Sequence, residues 1–127
     1  MRIVINLSPV TKKNSQQILV NKATGRPFVM PSQKYRLYEK ACAIYMPHLK
    51  EPISEAVNVK MLFYNATKRR RDLVNDEESC LDILVRYGVL ADDNYNIVWS
   101  MDGSRELYDK TSPRTEIEIT PIGETNE

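Results

Sequence analysis

Residues 56–94, "AVNVKMLFYNATKRRRDLVNDEESCLDILVRYGVLADDN", decide the fold, because in order they predict a strand, a basic loop, a helix and an acidic loop. The strand is indicated by the alternation of Val57, Val59, Met61 and Phe63 with other residues, which is the period of a strand half buried in a sheet. A strand of this kind needs a second layer over its apolar face, and the following helix is the nearest element that can supply it.

The helix in this stretch has a predicted start and a predicted end. Asn75 and Glu78 have the three-residue spacing of a capping box, so we expect the helix to open at Asn75. It is expected to run to about Tyr87, where Gly88 terminates it. Asp72 would then lie ahead of the helix, where capping does not account for it.

The rest of the chain predicts further strands and one more helix. "RIVINL" reads as an opening strand, "ILV" and "FVM" as a hairpin, and "YNIVWSM", "RELYD" and "TEIEITPI" as later strands. Ser32 is expected to cap a first helix, Trp99 to lie in the core and His48 to lie in a loop. The sum is an α+β fold: a single two-layer domain of residues 1–122 with a mixed sheet packed against two main helices, and a flexible tail of residues 123–127.

Length and composition agree with one domain, since 127 residues with 42% hydrophobic content can bury a single core. Cys42 and Cys80 belong to no Cys-x-x-Cys or Cys/His cluster, which predicts free thiols rather than a disulfide or a zinc site. No apolar run is long enough for a membrane span or a signal peptide, so we expect a cytoplasmic protein with no membrane partner.

Charge is segregated along the chain although the net charge is only +1. Residues 1–71 hold 14 Lys and Arg against 3 Glu, a net charge of +11, and residues 72–127 hold 4 Lys and Arg against 14 Asp and Glu, a net charge of −10. A basic half could contact nucleic-acid phosphates while an acidic half holds cations. The alternative is that the two halves interleave in space and cancel.

Two interpretations of the acidic residues remain open at this point. In the first, they belong to an ordinary solvated helix, with Asp76 and Glu77 at its positive end and Asp82 paired with Arg86. In the second, they hold a magnesium ion, which prefers carboxylate oxygens, water and phosphate oxygens as ligands.

The motifs "RRRDLVN" and "LDILVRYGVLADDNYNIV" resemble those of the RusA-like Holliday junction resolvases, and "SPVTKKN" is similar to the segment after the first strand of that family. The resemblance implies a metal-dependent endonuclease for branched DNA, active as a homodimer with Mg²⁺, or Mn²⁺, as cofactor. Asp72 matches the first catalytic aspartate, Asn75 the asparagine, Asp82 the helix acid, and Asp93 the metal-binding member of the Asp-Asp pair.

Two positions differ from the family pattern. Val74 stands where the family has a second metal-binding Asp, and Glu78 stands where it has a Lys. We expect Asp72, Asp93 and either Asp82 or Glu78 to hold the metal, with Glu78 replacing the missing carboxylate. The expected DNA contacts are Lys12, Lys13, Asn14, Lys68, Arg69, Arg70, Arg71 and Asn75.

Two other functional readings follow from these differences. One is a DNA-binding module on the same fold that no longer cuts, and the other is a plain interaction domain with solvated acids. Divalent-cation binding distinguishes the nuclease from the DNA-binding module. Salt-sensitive binding to branched DNA distinguishes both of these from the interaction domain.

Overall fold

The central strand β4 (Val57–Asn65) buries every second side chain, as its sequence predicts. Val57, Val59, Met61 and Phe63 are each at most 2% exposed. These features come from a computed structural model that describes residues 1–12 and 16–123 of the chain. The alternation holds along the whole strand because β4 has a sheet neighbour on each edge and its apolar side chains all enter one core.

The main sheet is mixed. Strand β7 (Arg114–Pro121) runs antiparallel between β1 (Arg2–Ile5) and β4. On the other edge of β4, two short strands pair with it in parallel, β5 (Val98–Ser100) and then β6 (Arg105–Tyr108). The turn between them contains Gly103 at φ 88°, a backbone conformation that favours glycine. A mixed sheet with two helices confirms the predicted α+β class.

Two α-helices accompany the sheet. Helix α1 (Gln33–Ala41) continues into a 3-10 turn over Cys42–Tyr45, and helix α2 (Leu73–Arg86) connects β4 to β5. A parallel pair of strands needs a crossover of this kind. Both helices place side chains against the sheet in one core, which includes Ile5, Cys42, Met61, Ile83, Leu84, Leu90 and Ile117, and Tyr35 of α1 is also buried.

Three local expectations are confirmed. Ser32 caps α1, its Oγ accepting a hydrogen bond from the Tyr35 backbone nitrogen at 3.2 Å. Gly88 follows α2 at φ 73°. The predicted hairpin forms a separate two-stranded sheet of β2 (Gln16–Val20) and β3 (Pro27–Pro31). Cys42 and Cys80 are both buried and free.

The expected start of α2 is wrong. The helix begins at Leu73 with Asp72 as its N-cap, and Asn75 lies inside the first turn rather than at the cap. Asp72 has an extended backbone and a short side chain that can accept from the helix, so it serves as a cap as well as Asn75 could. Starting there also brings Leu73 against the core, an apolar contact that a later start would lose.

The expected burial of Trp99 is also wrong. Trp99 lies on β5 and is 61% exposed, whereas its neighbour Val98 packs against the core. Alternation along the strand sends the two side chains to opposite faces, and the smaller one faces inward. His48 lies in an exposed loop, as expected.

Some expectations fall on residues outside the described ranges. Lys13 and Asn14 are among them, as are residues 124–127 of the expected tail. Within the described part of the chain, no helix has the length and apolar character needed to cross a membrane.

Two leucines in the helices test the position of the core. Leu84 on α2 is fully buried and Leu37 on α1 is 60% exposed. Leu84→Ala should lower the free energy of unfolding by about 2–5 kcal/mol, because it removes buried contacts and leaves a cavity. Leu37→Ala, the matched control, should change it by less than about 0.5 kcal/mol. Denaturant unfolding followed by circular dichroism measures both, and equal effects would contradict this packing.

Candidate active site

The acidic residues of helix α2 begin with its N-cap, Asp72. Asp72 Oδ1 accepts a hydrogen bond from the Val74 backbone nitrogen at 3.0 Å, which fixes the carboxylate at the start of the helix. With Asn75, Arg70 and Arg71, Asp72 lines a shallow pocket. The carboxylate therefore stands beside basic side chains and also stabilises the positive end of the helix.

Asp82, further along α2, lies beside the same pocket as Asp93 from the loop that follows the helix. They line one shallow pocket that they share with Lys12, Glu39 and Arg86. Desolvation raises the pKa of Asp93, a side-chain hydrogen bond with Asp92 raises it further, and the charges of Asp92 and then Asp82 add to the rise. Carboxylates whose charges repel each other favour a cation beside them.

The neighbouring Asp92 is used differently. Its carboxylate accepts hydrogen bonds from the Asp93 backbone nitrogen at 2.7 Å and from the Asn94 amide at 3.2 Å, and these bonds lower the pKa of Asp92. Asp92 thus shapes the loop, while Asp93 lines the pocket.

Lys12 is fixed against the same part of α2. Its backbone nitrogen donates to Ser79 Oγ at 2.8 Å, and its Nζ lies 3.8 Å from Asp82 Oδ2. Arg86, expected to pair with Asp82, instead donates to Glu39 Oε1 at 2.6 Å. Lys12 therefore lies next to Asp82 and Asp93, and the pocket that they line stays open to solvent.

The predicted acids do not all line one pocket. Asp72 precedes Asp82 by ten residues, which is about 15 Å of helical rise. Glu78 lies between them and one turn before Asp82, so the two side chains share a side of the helix. Over residues 1–12 and 16–123, no three His, Cys, Asp or Glu side chains group closely enough to hold a metal by themselves.

The basic residues before α2 divide into two kinds. Lys68, Arg69 and Arg70 are exposed, and Lys68 Nζ lies 5.1 Å from the centre of the Tyr108 ring. Arg71 is half buried and donates to Asp76 through two nitrogens, at 2.6 and 3.2 Å. Its charge is therefore neutralised within the protein.

The sequence interpretation missed a polar cluster around Asp76. This aspartate is 2% exposed although it was expected to be a solvated acid of the first helical turn. Glu106 from β6 lies next to it, and the Asn65 amide donates to Glu106 Oε1 at 2.9 Å. The segment "RELYD" indicates a strand with one face inward, but no spacing in the sequence connects Glu106 with Asp76.

Glu106 Oε2 is buried and makes no hydrogen bond if the side chain is ionised. A protonated Glu106 resolves this, because its hydroxyl can donate to the adjacent Asp76 carboxylate. Desolvation and the charge of Asp76 raise the pKa of Glu106 to about 7. Glu106 thus holds its proton over much of the acidic range, and Arg71 pairs with the Asp76 carboxylate.

Comparison with known families gives the class of the protein. The family model described as endodeoxyribonuclease RusA matches residues 6–120. The match begins directly after β1 and ends within β7, and it covers both helices and every predicted site residue. No curated protein matches the chain.

The chain belongs to the RusA family, and the resemblance noted in its sequence is confirmed. The family consists of endodeoxyribonucleases that act on Holliday junctions. Its resolvases are generally dependent on divalent metal ions.

Glu106 gives a prediction about pH. Its pKa in the folded chain, about 7, lies above the ordinary glutamate value of 4.5, so the folded state binds the proton more tightly than the unfolded state. This contribution to stability is complete below about pH 4.5 and is lost as the pH rises through 7. Glu106→Gln keeps a donor for Asp76 and removes the titration.

The free energy of unfolding should therefore fall less steeply for Glu106→Gln than for the wild type between about pH 5 and pH 8. Denaturant unfolding at several pH values measures it. Glu118→Gln, which removes an exposed strand carboxylate, is the matched control and should keep the wild-type slope. Parallel curves for Glu106→Gln and the wild type would show that Glu106 is ionised throughout.

Proposed function

We propose that this protein is a divalent-metal-dependent endonuclease that resolves four-way DNA junctions. Membership of the RusA family supports the reaction and the substrate. The observation that carries the proposal is the pocket in which Asp82 and Asp93 lie together beside Lys12. Phosphodiester hydrolysis needs carboxylates to hold a metal and a cation to offset charge on the phosphate, and this pocket offers both.

The residues present fit a magnesium ion. Mg²⁺ is commonly held by one or two carboxylates, with water and substrate phosphate oxygens as the other ligands. Asp82 and Asp93 would supply the carboxylates, and Mn²⁺ would suit the same oxygen donors. When bound, the metal would lower the pKa of a water ligand and stabilise negative charge on the phosphate.

Lys12 is proposed to act on the substrate phosphate. The hydrogen bond from its backbone to Ser79 fixes the start of the side chain against α2, and its Nζ reaches the edge of the Asp82 carboxylate. From there the ammonium group can contact a non-bridging phosphate oxygen held at the acidic pair. Asp82 in turn keeps the lysine directed at the pocket.

Two further acids complete the proposed set. Asp72 is the counterpart of the first catalytic aspartate of the family, and in this chain it also caps α2. Glu78 is proposed to supply the carboxylate that Val74 cannot, because it lies one turn from Asp82 on the same side of the helix.

The DNA-binding surface and the assembly are proposed from the same resemblance. Two-fold symmetry suits a four-way junction, since symmetric scissile phosphates need two equivalent sites, so a homodimer is expected to make paired nicks. The side chains proposed to contact DNA are Lys12, Lys13, Asn14, Lys68, Arg69, Arg70 and Asn75. Arg71, expected from the sequence to be among them, is instead bonded to Asp76.

One observation favours a second candidate function. Val74 is 57% exposed at the position where the family has a metal-binding Asp, so the helix offers solvent an apolar group there instead of a ligand. A chain that lacked this ligand without compensation would bind junctions and leave them uncut. Cleavage of a labelled four-way junction with Mg²⁺, with Mn²⁺ and with a chelator distinguishes the two functions.

The three aspartates can be tested by removing charge without changing size. Asp82→Asn and Asp93→Asn should each lower the Mg²⁺-dependent cleavage rate by at least about a hundredfold. Even residues that only hydrogen-bond to a metal ligand change metal affinity or activity by about 10–100-fold. Binding to the junction should be kept or strengthened, because repulsion of phosphate is relieved. Asp72→Asn should also lose cleavage, while the amide oxygen preserves the cap and hence the fold.

Asp102→Asn, in an exposed turn, is the control for these variants and should cut at the wild-type rate. Undiminished cleavage by both Asp82→Asn and Asp93→Asn would reject the metal pair. Cleavage that needs no divalent cation would reject the proposed chemistry.

Glu78→Gln tests the compensation for Val74. Because the N-cap of α2 is Asp72 rather than Asn75, Glu78 is not part of a capping box with Asn75, and the free energy of unfolding is measured beside the cleavage rate. The cleavage rate should fall at least about tenfold if Glu78 contributes to the metal site. Glu77→Gln changes the adjacent carboxylate, 100° round the helix, and should cut normally. Equal rates for these two variants would discard the compensation and leave the aspartate pair standing.

A further inference from the structure

A basic groove lies at the end of α2 opposite the Asp82–Asp93 pair. Its backbone is the loop after β1 (residues 8–10) and residues 65–67, which begin at the last residue of β4. The side chains of Lys34, Arg69 and Arg70 line it, with Arg71 at its wall. Among the described residues that line this groove, none is acidic. Nor does any described carboxylate form an ion pair with Lys34, Arg69 or Arg70.

Lys34 was not indicated by the sequence as a functional residue. It lies in the first turn of α1, far along the chain from the arginines, and only the fold brings it to the same groove. A helix and a loop thus contribute cations to one concave surface. Concentration of one charge sign in a groove attracts a ligand of the opposite sign.

Arg71 has a different position from its basic neighbours. Its side chain is 23% exposed, and its guanidinium joins Asp76 on α2 to the carbonyl oxygen of Pro9, which accepts from Nη2 at 3.2 Å. Three hydrogen bonds to two segments leave this guanidinium little freedom to turn toward a ligand. The same bonds fix the spacing between the two loops that form the groove.

We propose that this groove binds the phosphate backbone of DNA through Lys34, Arg69 and Arg70, and that Arg71 is a positioning residue that holds the groove in shape. The inference rests on the proposed function, because that function makes DNA the substrate. The groove adjoins the pocket of Asp72 through Arg70 and Arg71. About 15 Å of α2 separates it from Asp82, so it would hold phosphates other than the one at the Asp82–Asp93 pocket.

Lys34→Gln tests the groove itself. Loss of one phosphate contact should weaken binding to a labelled four-way junction roughly five- to tenfold at 0.1 M salt, and should reduce the slope of log affinity against log salt by about 0.9. Lys40→Gln removes an exposed lysine from another face of the same helix and is the matched control. It should bind like the wild type with an unchanged slope.

Asp76→Asn and Arg71→Lys test the positioning role. If Arg71 contacted DNA directly, Asp76→Asn would free its charge and tighten binding, and Arg71→Lys would keep the contact. The proposal predicts the opposite: both variants weaken binding at least about fivefold, because neither can keep the forked pairing of guanidinium and carboxylate. Displacement of Arg69 and Arg70 should also lower the salt slope by up to about 1.8.

Controls separate this effect from general ones. Glu55→Gln removes an exposed carboxylate elsewhere and should not weaken binding. Circular dichroism and thermal melting establish that each variant is folded, and if Asp76→Asn does not fold, Arg71→Lys and Lys34→Gln decide the matter.

The outcomes distinguish this inference from the proposed function. Salt-sensitive junction binding by the wild type, with Lys34→Gln equal to Lys40→Gln, would overturn the groove and leave the nuclease standing. Tighter binding by Asp76→Asn, or unchanged binding by Arg71→Lys, would overturn the positioning role. Absence of salt-sensitive binding by the wild type would overturn the groove and the proposed function together.

Discussion

The ion pair between Arg71 and Asp76 is the interaction on which the arrangement of the candidate site depends. The Asp76 side chain is almost completely buried, and a buried carboxylate persists only where its charge is paired and its oxygens accept hydrogen bonds. Arg71 supplies the charge, and Glu106 can supply a proton. Removing one partner of a buried pair costs about 3–5 kcal/mol, because the other charge remains unpaired. The start of α2, the loop after β1 and strand β6 are therefore constrained by one carboxylate.

The segregation of charge along the sequence is only partly cancelled in the fold. Ion pairs join the basic and acidic parts of the chain: Arg2 with Glu116, Lys12 with Asp82, and Arg71 with Asp76. The two parts therefore interleave at these places, as one of the two sequence interpretations holds. Charge of one sign still gathers at opposite ends of α2, in the groove of Lys34 with its two arginines and in the pocket where Asp82 and Asp93 lie together. The ligands proposed for these two surfaces, a phosphate backbone and a divalent cation, carry the opposite charges.

The parts of the fold that the sequence predicted are those governed by local chemistry. The period of β4, the cap at Ser32 and the positive φ at Gly88 each depend on residues next to one another in the chain. The start of α2 was wrong because two good caps, Asp72 and Asn75, lie three residues apart, and the packing of Leu73 decided between them. Glu106 and Lys34 were missed because their partners lie tens of residues away, and only pairing of β6 with β4 and packing of α1 bring them into place.

The geometry of α2 also explains how an acidic site can survive a valine at position 74. Val74, Glu78 and Asp82 follow one another at four-residue steps, so they form a row along one side of the helix. Asp93 approaches this row at Asp82, two turns beyond Val74. A carboxylate at Glu78 is closer to that meeting point than one at position 74 would be. If Glu78 supplies a ligand as proposed, moving that ligand a single turn along the row would keep the few carboxylates that a magnesium ion needs. Asp93, an acid from outside α2, reaches the row at the end far from the valine.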